Sequence, residues 1–260
     1  MSAPQRSPDA FADTDNLMAF ARSAGMTVRG HPLVWHRQLP DWVLQSAPDT
    51  REGHMREFIA RIVTRYADDV QHWDVVNEPI AEDGGGLRST VWSEAMGERY
   101  IDVAFHQARA LDPDATLVLN EYDIGYDGPK WDRLLALLDR LIARGVPVDA
   151  VGFQMHVFAS YDRFDELAAH MAAVAARGLD VHVTEFDVAL SDGTGTAEQT
   201  DVYRRVAQVC LDQPRCTVLQ TWGFTDRYSF RRFFDPLPFD RDYRPKGAYT
   251  ALQEALGLGG

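Results

Sequence analysis

Runs rich in β-branched and apolar residues alternate with longer segments of helical period along the 260-residue chain, and this alternation restricts the fold more than any other feature. Helical spacing over Asp9 to Gly25 is followed by a strand pattern over Val28 to Trp35, then by a helix over Asp49 to Tyr66 and a strand over Gln71 to Asn77. The pattern continues with helix Ser89 to Leu111, strand Thr116 to Asn120, helix Pro129 to Gly145 and strand Asp149 to Gln154. It ends with helix Arg163 to Gly178, strand Asp180 to Glu185, helix Glu198 to Leu211, strand Thr217 to Trp222 and a helix near Lys246 to Leu256. Strands alternating with helices of this length form parallel βαβ units. A closed barrel of this type needs eight strands, and only about six are legible here. The expectation is an α/β chain of the (β/α)8 TIM-barrel type, incomplete, with its N-terminal βαβ portion missing. No linker or low-complexity tract interrupts the pattern, so residues 1–260 read as one barrel domain.

Two of these strand patterns end in carboxylates: Trp73-Asp74-Val75-Val76-Asn77-Glu78 and Val181-His182-Val183-Thr184-Glu185-Phe186-Asp187. In a barrel of parallel strands the carboxyl ends of the strands face the active site, so Glu78 and Glu185 would be delivered to one cleft. Either ending alone could be a polar cap. A pair of carboxyls across a cleft is the apparatus of glycosidic-bond hydrolysis.

Composition narrows the partners. With 45% hydrophobic and 25% charged residues the chain is ordinary for a globular protein, and its formal charge of −13 repels nucleic acid and anionic membrane surfaces. A neutral substrate is expected. There is no apolar run long enough to span a membrane, and the first residues lack the apolar core of a signal peptide. As written the chain would stay in the cytoplasm, whereas removal of a leader would make it secreted. Cys210 and Cys216 lie close enough to close a small loop in an oxidising compartment, or stand as two thiols. No cofactor or metal is expected: Gly84-Gly85-Gly86 lacks the lysine and spacing of a phosphate-binding loop, and the eight histidines show no paired spacing on one helix.

The motifs resemble those of glycoside hydrolase family ten, the retaining endo-β-1,4-xylanases. The resemblance rests on Arg29-Gly30-His31-Pro32-Leu33-Val34-Trp35-His36-Arg37-Gln38-Leu39-Pro40, Trp73 to Glu78, Leu119-Asn120-Glu121-Tyr122, Gly152-Phe153-Gln154-Met155-His156, Thr184 to Asp187, and Thr221-Trp222-Gly223-Phe224-Thr225-Asp226. These occur in the family's order and cover the chain from about Pro4 onward. The resemblance implies Glu78 as acid/base and Glu185 as nucleophile. It implies that Asn77 bonds the sugar 2-hydroxyl, and that His156 contacts Glu185 while Asp187 orients it. His31, Trp35, His36 and Gln154 would line the subsite of the reacting sugar, with Trp222 as an apolar platform. Tyr122 and Asn120 could line the cleft or serve in packing, and Trp42, Trp92 and Trp131 read as core. The resemblance also implies a disulfide between Cys210 and Cys216.

Departures from the family pattern set the remaining expectations. The Glu-Asn-x-Met-Lys strand that holds a second glycone sugar has no counterpart, and residues Pro4 to Phe11 already resemble the stretch following it. Phe230 stands where a second tryptophan is common, and Gly247 where proline is common. The expected substrate is a short carbohydrate or a small glycoside bearing an aglycone, cleaved with retention. The alternative is a weakened barrel protein that binds carbohydrate or tailors a small glycoside. Omitted strands would leave open edges on the strands near Val28 and Thr217, which a homodimer could cover.

Overall fold

The computed structural model describes residues 11–83, 85–191 and 193–258. The segment Pro4 to Ala10, the start of the helix placed from Asp9, and Gly84 lie outside the described residues. Packing divides the chain into two compact units, Met1–Asn120 with Asp132–Ala150, and Glu121–Trp131 with Val151–Gly260. The chain passes from one to the other within a strand, a helix and the next strand.

In the first unit, α1 (Ala12–Ser23), α3 (Pro48–Tyr66) and α5 (Arg99–Leu111) accompany β1 (Arg29–Gly30), β2 (His72–Asn77) and β3 (Thr116–Glu121), whose last residue belongs to the second unit. β1 pairs parallel with β2, and β2 with β3. The apolar residues of α3 recur at helical spacing, so Met55, Ile59, Ile62, Val63 and Tyr66 are all buried. β2 is buried from Trp73 to its end, as suits a parallel strand covered on both faces.

The strand expected over Val28 to Trp35 is shorter than its apolar pattern suggests. Pro32 has no N–H for the ladder, so regular pairing stops at Gly30, and the chain follows β2 through Leu33 N–H to Asp74 O and Val34 N–H to Val75 O. The close approach of β1 to β2 requires glycine at position 30, because a Cβ there would collide with the Trp73 ring. The helix expected over Ser89 to Leu111 is two helices, α4 (Val91–Met96) and α5, because Gly97 turns the chain with φ +60°. A short α2 (Asp41–Leu44) was not legible in the periodicity.

The second unit contains most of β4 (Ala150–Phe153), together with β5 (His156–Phe158), β6 (Asp180–Ala189) and β7 (Cys216–Thr221), and the helices α7 (Phe164–Ala175), α8 (Thr196–Asp212) and α9 (Gly247–Ala255). α6 (Pro129–Ala143) begins in this unit and continues in the first. β6 runs four residues beyond the expected end at Glu185, because β5 pairs with Asp187–Ala189. β4 and β5 both neighbour β6 and are separated by a break at Met155, φ +56°. They occupy one strand position, so the described residues hold the six positions expected. The core here joins β6 to α8, where Phe186 meets Tyr203 at a ring separation of 4.5 Å.

Among the described residues β1 pairs only with β2 and β7 only with β6. β7 has no fully buried residue, and on α1 Leu17 and Phe20 are more than half exposed. Gly247 packs against Thr200 of α8, where a Cβ would collide. Helix packing against Thr200 therefore accounts for glycine in place of proline here. Cys210 and Cys216 form the disulfide that the resemblance implied.

Candidate active site

In the first unit the end of β2 carries Glu78. Its backbone is left-handed, φ +56°, a conformation that costs a residue with a Cβ about 1–3 kcal/mol and persists only where neighbours enforce it. Two contacts enforce it: Glu78 N–H donates to Asn120 O at 2.8 Å, and Arg88 Nε donates to Glu78 O at 3.0 Å. A register shift between Asp74 and Val76 re-aims the last residues of β2. The carboxyl of Glu78 accepts the Trp35 indole N–H on Oε2 at 2.9 Å and the Asn77 amide on Oε1 at 3.2 Å. Asn120, expected as either a cleft or a packing residue, is fully buried and donates to Asn77 Oδ1 at 2.8 Å, which fixes the orientation of that amide.

His36 lies 3.8 Å from Glu78 Oε2. Burial and the nearby Arg88 cation push its pKa down to about 4, so at neutral pH it carries no charge. The Glu78 carboxyl thus accepts two neutral N–H donors, while the Arg88 cation holds its main-chain carbonyl. The buried Asp74 carboxylate holds His31, whose Nδ1 lies 2.7 Å from Oδ2, and Arg29 binds the same carboxylate with Nε at 2.9 Å. Burial opposes the Asp74 charge, but Arg29 and His31 outweigh it and hold the carboxyl below its ordinary range. The roles of Asp74, Arg29 and Arg88 were not read from the sequence. Asp74 lies within a buried strand, and a buried carboxylate demands a cation, which is the signal that could have found Arg29.

In the second unit β6 carries Glu185 and Asp187, and its register against β7 shifts between Val183 and Phe186. His156, the first residue of β5, stands opposite Asp187. Its Nδ1 lies 2.9 Å from Asp187 Oδ2 and its Nε2 3.1 Å from Glu185 Oε2. Burial opposes protonation of this imidazole, but the two carboxylates prevail and raise its pKa to about 9. His156 is therefore an imidazolium at neutral pH, bridging two carboxylates. Arg231, absent from the sequence reading, donates to Asp187 Oδ1 at 2.6 Å. The rings of Trp222 and Phe230 lie 6.1 Å and 5.2 Å from that of His156, each nearly perpendicular to it. Gln154 is buried after the end of β4, with its N–H on Glu121 O.

Of the tryptophans read as core, Trp92 and Trp131 are buried, the first donating to Trp35 O at 2.8 Å and the second stacked on His170. Trp42 is instead 42% exposed, edge-on to His54. Among the described residues no group of three or more histidine, cysteine or carboxylate side chains is arranged to hold a metal ion.

The sequence profile described as Glycosyl hydrolase family 10 matches residues 2–255. Endo-1,4-beta-xylanase B of Thermotoga neapolitana is 34% identical over 97% of this chain and 76% of its own length. Endo-1,4-beta-xylanase 3 of Hypocrea jecorina is 35% identical over 93% of this chain and 68% of its own. The crystal structure of xylanase 10B from Thermotoga petrophila in complex with xylobiose superposes with a TM-score of 0.93 at 32% identity, covering 98% of this chain and 81% of that one.

Proposed function

The chain belongs to glycosyl hydrolase family 10, and from that premise we propose that it cleaves β-1,4-glycosidic bonds of xylan type with retention, Glu78 serving as acid/base and Glu185 as nucleophile. The observation that carries this reading is the contrast between the two carboxyl environments. Glu185 lies against the His156 imidazolium, whereas the Glu78 carboxyl accepts the Trp35 indole and Asn77 amide N–H groups beside an uncharged His36.

In the first step the Glu185 carboxylate attacks the anomeric carbon while the carboxylic acid of Glu78 gives its proton to the departing oxygen. The glycosidic C–O bond breaks and an ester to Glu185 forms. In the second step Glu78, now a carboxylate, takes a proton from water, whose oxygen displaces Glu185 and restores both groups. Asn77, oriented by Asn120, donates toward the 2-hydroxyl, an interaction that strengthens in the transition state. His31, Trp35, His36 and Gln154 would line the subsite of the reacting sugar, and Trp222 would offer its ring to the apolar face. Double displacement requires the two carboxyl groups about 5–5.5 Å apart.

The xylanase names of the relatives support xylan-type linkages. Phe230, a smaller ring than tryptophan and 63% exposed, supports preference for short or aglycone-bearing substrates. Pairing of two copies through the β1 and β7 edges is proposed to accompany it, with light scattering as its check. The function is tested by following the product anomer by NMR on aryl xylosides and xylobiosides. Retention is expected, with turnover abolished in Glu185→Ala and largely spared on activated aryl leaving groups in Glu78→Ala. Inversion, or equal losses on good and poor leaving groups, would refute the assignment. A large gain in kcat/KM from xyloside to xylobioside would refute the preference for short substrates.

A further inference from the structure

Asp187 is a fully buried carboxylate with both oxygens engaged by cations. Oδ2 receives His156 at 2.9 Å, and Oδ1 receives Arg231 Nη1 at 2.6 Å. The same Arg231 nitrogen donates to Val157 O at 3.1 Å, and the guanidinium lies 4.7 Å over the Phe158 ring. Arg231 is thereby fixed to the backbone and a side chain of β5, the strand that begins with His156, and to Asp187 of β6. Its own side chain is only 12% exposed. The four groups alternate in charge in the order Arg231, Asp187, His156, Glu185, and all belong to the second unit.

A buried carboxylate facing one cation turns toward it or takes up a proton, whereas one held from both sides keeps its place. The geometry points to Arg231 as a positioning residue for the nucleophile. It anchors Asp187, Asp187 fixes the ring plane of the His156 imidazolium, and His156 holds Glu185 Oε2 in its attacking orientation. This inference rests on the reading of Glu185 as nucleophile. A further titratable group packed near the relay is the Tyr203 hydroxyl of α8, which donates to Pro236 O at 2.7 Å and so is engaged elsewhere. Asp226 and Lys246 pair with each other at 3.0 Å. Arg231 is thus the second cation of the relay, and Phe230 beside it ties the same loop to the His156 ring.

The test compares the full chain with Arg231→Gln, Arg231→Lys and Glu185→Ala on an aryl xylobioside across pH. Arg231→Gln is expected to lower kcat roughly 10- to 100-fold with KM nearly unchanged, and to move the acid limb of kcat/KM upward by about half a pH unit or more, because the charge relay that ends at the nucleophile has lost a cation. Arg231→Lys should recover part of kcat and return the limb toward its original position. The His156 imidazole resonances, followed by NMR against pH without substrate, should titrate differently in Arg231→Gln and recover in Arg231→Lys. A loss of kcat with an unmoved acid limb and an unmoved His156 titration would reduce Arg231 to packing and overturn the inference. Wild-type kinetics in Arg231→Gln would do the same. Glu185→Ala separates the two claims: if it keeps turnover, the nucleophile reading fails, and if it is inactive while Arg231→Gln is unaffected, only the positioning role fails.

Discussion

The Trp35 indole N–H donates to Glu78 Oε2 at 2.9 Å, while the carbonyl of Trp35 itself accepts the Trp92 indole N–H at 2.8 Å. The ring that touches the carboxyl is thus anchored through its own backbone by a buried tryptophan. Trp35→Phe keeps an aromatic surface and deletes the donor. Glu78 becomes a carboxylate as it gives up its proton, and a hydrogen bond to a charged group is worth about 1.5–3 kcal/mol, or roughly 10- to 100-fold in rate. We expect kcat/KM on substrates with poor leaving groups to fall by about that factor and activated aryl glycosides to be less affected, as steady-state kinetics on a leaving-group series would show. An equal loss across the series would place Trp35 in sugar binding alone.

His156 links stability to pH. Its folded pKa of about 9 exceeds the value of about 6.5 in an unfolded chain, so its contribution is fully present below about pH 6.5 and is lost as pH rises through about 9. A shift of this size corresponds to about 3 kcal/mol. Chemical denaturation of the wild type should show stability declining between pH 6.5 and 9, and His156→Gln should flatten that decline. A decline identical in the variant would assign it to other groups.

His36 acts in the opposite window. Its folded pKa of about 4 lies below that of the unfolded chain, so its contribution is present above about pH 6.5 and is lost as pH falls toward 4. His36→Asn should lessen the acid sensitivity of folding, measured as the denaturation midpoint at pH 4.5 relative to pH 7. No change in that difference would mean that His36 stays solvated in solution.

Gly30→Ala places a methyl group into the Trp73 ring across the β1–β2 pair. Overpacking of this kind costs about 1–3 kcal/mol. The expected outcome is a lower denaturant midpoint with an unchanged slope, and an unshifted midpoint would mean that the β1 pairing adjusts freely.

The disulfide between Cys210 and Cys216 closes a short loop between α8 and β7. Loop closure of this length restricts the unfolded chain by about 2 kcal/mol. Replacing both cysteines by serine should lower stability by up to that amount while leaving the pH profile of turnover in place. A larger loss would mean that Cys210, which is buried, also carries packing.

The two strand endings were legible in the residues themselves, because a buried parallel strand is a continuous apolar run and a carboxylate at its end breaks that run visibly. Glu78 just after β2 and Glu185 on β6 could be named on that ground, and the alternation of periods was enough to indicate the (β/α) class. Local pattern could not show which groups surround those carboxyls. Arg29 meets Asp74 across 45 positions and Arg231 meets Asp187 across 44, and no periodicity connects residues so far apart. Nor could it show that β6 continues to Ala189, because only the pairing of β5 extends it. The left-handed turn at Glu78 depends on a backbone angle enforced by Arg88 and Asn120, which no local pattern links to it. The contrast between a protonated His156 and a neutral His36 likewise arose only in three dimensions, since two imidazoles of the same intrinsic basicity separate when one is buried between carboxylates and the other is buried beside an arginine.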